Sequence, residues 1–254
     1  SARPRIRTGR KWIDFAIGSP PLHWVLRDPI TRASFQLVTA YLVRDRDVKL
    51  RLYPAIAPMM AMPVMMFFQK HSEHDQFHGV LSVALVGSYL CLVPMMGLSL
   101  IQYSQQWQAS EVFRAAPLTG PLAICDGARW AILCWLTAPA YIVVALTAWL
   151  LQGNVSNLPL FLPGMIALPV FSLFPNIDGT CIPLSQPVEA SRAAMRGLAP
   201  LAAMIPSLAL SGIAGWAWYT GWFHWFILGE AIAVACLYVT LRYRQDKLKW
   251  PTPQ

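Results

Sequence analysis

Apolar residues gather along this chain into six long, unbroken runs, at 52–68, 80–101, 130–151, 158–174, 199–218 and 222–241. A helix needs roughly 17 to 25 predominantly apolar residues to cross a hydrocarbon core of about 30 Å, so each run predicts a transmembrane helix. Five of the runs hold no Asp, Glu, Lys or Arg, and the sixth holds one, Glu230. Because a charge at the centre of a membrane helix costs on the order of 3 kcal/mol, their near absence carries weight. A barrel strand would alternate apolar and polar residues over about ten positions, which these runs do not do. The predicted fold class is all-α integral membrane with six transmembrane helices.

Between the runs the pattern changes. Residues 1–29 are rich in Arg and are interrupted by Pro4, Pro20, Pro21 and Pro29, as expected of an extended basic lead. Over 30–48, Phe35, Val38, Tyr41 and Leu42 recur at helical spacing among Arg32, Arg44, Asp45, Arg46 and Asp47. That spacing predicts an amphipathic helix lying in the membrane interface, with Pro54 turning the chain into the bilayer; a plain extension of the first span is the other reading. The transmembrane domain then covers 49–242, and 243–254 forms a tail. The first run carries Pro54, Pro58 and Pro63 among five methionines, which suits either a bent gate helix or adaptable packing. The fourth, with Pro159, Pro163, Pro169 and Pro175, is a candidate for a broken helix.

Composition agrees: 56% of the residues are hydrophobic and 13% charged, outside the range of ordinary soluble domains. The basic, partly polar stretch ahead of the first run does not fit a cleavable signal peptide. The chain lacks an initiator Met, as a processed product or a piece of a longer protein would. Of its 20 Lys and Arg, eleven precede the first run. With that end in the cytoplasm, every other Lys or Arg except Lys70 also falls inside, which predicts both termini cytoplasmic. The net charge of +8 then reflects topology and attraction to anionic lipid, and no nucleic-acid-binding module is expected. The five cysteines give no disulfide framework.

Few residues inside the runs carry chemistry. Glu230, with His224 shortly before it, is either the lining of a path or a structural bond to a neighbouring helix. Ala203, Ser207, Ser211 and Gly215 recur every four residues and form a small-residue ridge for close helix packing, within the chain or against a second subunit. His71, His74 and His78 would share a helix face and are a weak candidate metal site, the alternative being a solvated polar loop. No paired carboxylate, H-E-x-x-H or Ser–His constellation lies within the runs, so no enzymatic activity and no cofactor are expected.

The connection 102–129, QYSQQWQASEVFRAAPLTGPLAICDGAR, is the most informative. Trp107, Ser110, Glu111, Phe113 and Arg114 ahead of Pro117 predict a short amphipathic helix starting near Ser104, used either for docking or for lying on the membrane. Glu111, then Pro117-Leu118-Thr119, then Gly127 and Arg129 make this connection similar to that of ABC-2 type ABC exporter permeases, although the usual Gly-basic pair is spread over Gly127-Ala128-Arg129. The stretch from Val25 to Arg51, with Arg27-Asp28-Pro29 and Arg44-Asp45-Arg46, resembles one bacterial subgroup of the same family. The resemblance implies six spans, an interfacial helix before the first, and a coupling helix between spans two and three. It further implies a bacterial inner-membrane location, a separate cytosolic nucleotide-binding subunit, and a second permease half or homodimer partner. A departure is the short connection near Gly221, which leaves no room for the family's external re-entrant helices. The chain has no phosphate-binding loop and is not itself the motor. A non-transporting scaffold or accessory subunit of a larger membrane complex, energy-transducing or photosynthetic, is the alternative.

Overall fold

The computed structural model describes residues 26–68, 76–105, 107–111, 113, 120–152, 155–176, 182–188 and 199–247. Helix α1 (Pro29–Arg44) begins where the sequence supplies a cap and a helix-compatible proline together. The Asp28 carboxylate accepts from the Thr31 backbone N–H at 3.0 Å and from its hydroxyl at 2.9 Å, and Pro29 takes the first helical position, where its missing N–H costs nothing. The helix stops at Asp45, whose backbone is extended. Asp45 then caps α2 (Arg46–Phe68), its carboxylate accepting from the Asp47 N–H at 2.8 Å.

One expectation is corrected here. The chain changes direction at Asp45, not at Pro54, because Asp45 leaves the helical region while Pro54, Pro58 and Pro63 all remain inside one continuous helix of 23 residues. The apolar stripe of α1 faces protein: Phe35 and Val38 are fully buried, and α1 lies against the segment Leu122–Ile132. That contact is close because of Gly127, where a Cβ would run into the Thr31 carbonyl, Ser34 and the Phe35 backbone. The Ser34 hydroxyl closes it by donating to the Ile124 carbonyl at 2.6 Å.

Among the described residues, four helices are long and apolar enough to cross a membrane: Gly79–Ile101, Leu122–Leu151, Asn157–Asn176 and Phe223–Asp246. The protein is a mostly helical, multi-span membrane bundle. The first of the four is kinked between α3 (Gln76–Tyr89) and α4 (Leu92–Ile101). Pro94 cannot donate to the turn before it, and three-residue bonds from Cys91 to Ser88 and from Val93 to Leu90 tighten the chain there. The second runs through α5 (Leu122–Ile132), a π-turn at Leu133–Thr137 and α6 (Ala138–Gln152). The π-turn precedes Pro139 and absorbs the proline's missing bond, with the Ala138 N–H reaching back five residues to Leu133. This helix begins at Leu122, well before the apolar run at 130, because Asp126 and Arg129 are satisfied inside the protein.

The third long helix is irregular, as its prolines suggest. It passes from a 3₁₀ segment at Val155–Phe161 into α7 (Leu162–Phe171) and out through a 3₁₀ turn at Phe174–Asn176. Gly164 lets α7 approach the Gly87 carbonyl of α3 closely. The Cys91 thiol, donating to the Gly164 carbonyl at 2.9 Å, and the Tyr141 hydroxyl, donating to the Gly87 carbonyl at 2.8 Å, knit α3, α6 and α7. Helix α8 (Ala199–Tyr219) packs along α3, and α9 (Phe223–Asp246) leans mainly on α7. Only Phe223, Glu230 and Gln245 of α9 are fully buried, so its contact with the bundle is a narrow seam.

Candidate coupling site at one end of the bundle

One end of the bundle carries two polar arrangements. The first joins α5, α7 and α9. Arg242 of α9 grips Asp126 of α5 with both terminal guanidinium nitrogens, one to each carboxylate oxygen, at 2.6 and 2.5 Å. One turn further along α5, Arg129 is only 2% exposed. Its Nε donates to the Ser172 hydroxyl at 2.7 Å, and its terminal nitrogens reach the Pro169 carbonyl at 3.3 Å and the Tyr238 hydroxyl at 3.5 Å. The guanidinium also lies over the rings of Trp130 and Tyr238, at 5.6 and 5.3 Å from their centroids. Among the described residues no carboxylate faces it, so hydroxyls, a carbonyl and two π faces together hold a buried cation. Gln245 adds a bond to the Leu173 carbonyl at 3.1 Å.

The second arrangement is a clip beneath the connection that follows α4. The short strand β1 (Tyr103–Ser104) pairs in parallel with β2 (Gln186–Pro187). Flanking bonds run from the Leu184 N–H to the Ile101 carbonyl at 3.0 Å and from the Gln186 N–H to the Gln102 carbonyl at 2.9 Å. Arg51 of α2 donates to the Tyr103 carbonyl at 2.9 Å and to the Asp47 carbonyl of its own helix at 3.2 Å. Three parts of the chain distant in sequence are therefore bonded together at this point. Beyond the clip, a single 3₁₀ turn, Trp107–Ser110, leads away with Trp107 37% exposed.

The expected helix therefore starts later than Ser104: residues 103–104 pair as a strand with 186–187, Trp107–Ser110 is a 3₁₀ turn, and Glu111 and Phe113 are helical. Glu111 is exposed and Phe113 half-buried, while Arg114 and Pro117 to Thr119 lie outside the described residues. Gly127 and Arg129, the other half of the sequence pattern, sit inside the bundle as packing and bonding residues.

The chain matches no protein-family model, and comparisons with curated proteins and with solved structures give no match either. Assignment therefore rests on the residues themselves.

The remaining sequence candidates are spread out. Glu230 is buried, within electrostatic reach of Cys91 and Tyr141, and neither of its oxygens has a hydrogen-bond partner among the described residues. His224 is exposed in the first turn of α9, so the two do not form a pair. Of the small-residue ridge, Ser207 and Ser211 are buried and Gly215 lies against Leu81 of α3, so these three serve packing within the chain; the side chain of Ala203 lies outside the described residues. His71 and His74 also lie outside them, as does the side chain of His78. Among those described, no three His, Cys, Asp or Glu come together to hold a metal. Sequence reasoning missed the Asp126–Arg242 pair and the cage around Arg129. The available signal was Asp126 and Arg129, three apart in a segment that is otherwise apolar, which puts both on one helical face.

Proposed function

We propose that this chain is the transmembrane subunit of an ATP-driven exporter of the ABC-2 kind. It would have six spans and an interfacial α1, with both termini in the cytoplasm of a bacterial inner membrane. Helices α2 and α8, of 23 and 21 residues, would be about 34 and 31 Å long, enough to add two spans to the four long apolar helices. An even number of spans returns the chain to its starting side, and the distribution of Lys and Arg favours the cytoplasm for that side. A separate cytosolic subunit would hydrolyse ATP, and a second permease half, or a second copy, would complete the substrate path.

The observation that carries this proposal is the clip. A partner seated on Trp107, Glu111, Phe113 and the neighbouring Arg114 would pull on β1, and β1 is bonded to α2 through Arg51 and to the later connection through β2. Force applied there reaches several spans at once, as a coupling device requires. The scaffold alternative draws support from a different fact: among the described residues, buried polar groups such as Cys91, Arg129 and Tyr141 are engaged in bonds between helices, and the unpartnered ones, at Thr39, Ser88, Asn176 and Glu230, are few.

Purification of the native complex tests both. Co-purification of a nucleotide-binding protein that is lost when Trp107 and Phe113 are changed to Ala is expected; each buried aromatic anchor would be worth about 1 to 3 kcal/mol. A complex that contains pigment or electron-transfer subunits, and no nucleotide-binding protein, would overturn the exporter in favour of the scaffold.

A further inference from the structure

Glu230 lies about 12 Å along α9 from Trp222 at its start and about 24 Å from Asp246 at its end, well within the span. Its neighbours Gly229 and Ala231 are exposed, whereas Glu230 is only 8% exposed and faces the bundle. What it meets there is neutral. The Cys91 thiol, at the break between α3 and α4, and the Tyr141 hydroxyl of α6 are within electrostatic reach, and both donate their protons elsewhere, to the Gly164 and Gly87 carbonyls. Helix α7, against which α9 mainly packs, has no ionisable residue, and α8 has only Tyr219, at its end. On α9 itself, His224 is exposed in the first turn. Tyr238, about 12 Å further along, stacks on Arg129, whose guanidinium is already bonded to Ser172 and the Pro169 carbonyl. Among the described residues, no cation and no donor reaches either carboxyl oxygen of Glu230. An ionised carboxylate in that setting costs several kcal/mol, whereas the acid form leaves only a neutral polar group to bury.

We propose that Glu230 is a proton-binding site inside the bilayer, and that its acid form seats α9 on the bundle. Loss of the proton leaves an uncompensated charge in a seam where only Phe223, Glu230 and Gln245 of α9 are fully buried, so the seam weakens. Proton uptake and the seating of α9 are therefore linked: the contact is full while the acid is protonated and is lost as rising pH removes the proton. The site rests on the multi-span fold and is independent of whether the protein transports anything.

Dicyclohexylcarbodiimide, which dissolves in the bilayer, tests it because it adds to the acid form. The carboxyl proton passes to one of its nitrogens, the carboxyl oxygen bonds to its central carbon, and the adduct rearranges to a stable N-acylurea with nothing released. The full chain in phosphatidylcholine vesicles should give one adduct at Glu230, mapped by mass spectrometry, at about pH 6, and at least about tenfold less at about pH 9, the upper range for buried glutamates. Glu230→Gln should give none at that position, and a water-soluble carbodiimide should leave Glu230 unmodified. The thermal midpoint supplies a second reading: between the same two pH values it should fall further in the native chain than in Glu230→Gln, which holds the neutral form permanently. No adduct at the lower pH, a yield that ignores pH, or an equal fall in midpoint for the two chains would each overturn the proposal. Protection by sodium ions at constant pH would overturn it too, by making the site one for a metal cation.

Discussion

Arg129 and Glu230 illustrate opposite ways of keeping a charged residue type inside a bundle. Arg129 is surrounded: its fork geometry matches Ser172 and the Pro169 carbonyl, and its flat cation stacks on Trp130 and Tyr238. Lysine keeps the charge but has neither fork nor plane, so Arg129→Lys should lower stability by about 1.5 to 3 kcal/mol, the range for hydrogen bonds to charged groups. Thermal unfolding in detergent would measure it, and an unchanged midpoint would show that the cage contributes little. Glu230 is the reverse, a buried acid with neither oxygen bonded among the described residues. An amide of the same shape removes a charge that nothing there compensates, so Glu230→Gln should fold and assemble with a midpoint equal to or above that of the native chain. A collapse in yield would instead reveal a cation partner of Glu230.

At the scale of elements, the association of α1 with α5 depends on a missing side chain. A single methyl at position 127 would press on the backbone of residues 31 and 35. Gly127→Ala should therefore cost about 1 to 3 kcal/mol as an overpacked contact and loosen α1 from the bundle. Thermal unfolding of the variant in detergent would measure it, and an unchanged midpoint would count against the glycine's role. How far such elements were legible in sequence follows from their physics. Four of the apolar runs, at 80–101, 130–151, 158–174 and 222–241, were, since hydrocarbon demands continuous apolarity, and so was the irregularity around Pro159, Pro163 and Pro169. The start of α2 was misread because Asp45 looked like one more charge in a charged segment, whereas it supplies a cap. The beginning of α5 was misplaced because charge was taken as a sign of water, and Asp126 finds its partner 116 residues away in Arg242. Long-range pairing of that kind leaves no local pattern, and the β1–β2 clip, two residues on each strand, leaves none either.

At the scale of the whole molecule, the proposed orientation places Gly221 outside and Asp45, Ser104 and Arg244 inside. Single cysteines at these positions, in a background lacking the native thiols, should react with a membrane-impermeant reagent from the corresponding side only. External labelling at position 104 would invert the assignment and remove the cytosolic partner from consideration. The small seam of α9 gives a second expectation at this scale. With only three residues fully buried, α9 depends on its two ends, where Phe223 stacks edge-on against Trp218 at 4.8 Å and Arg242 grips Asp126.

The contact between Ser34 and Ile124 also sets an order of events during synthesis, because its two partners lie 90 residues apart. At roughly 5 to 20 residues per second, α1 exists for several seconds, and up to about 18, before the ribosome has made the segment it will lie against. Throughout that interval Phe35 and Val38 lack the α5 surface against which α1 packs in the finished bundle. The nascent chain must shelter them in the lipid headgroup region or under a chaperone, and α1 takes its place in the bundle only when α5 arrives.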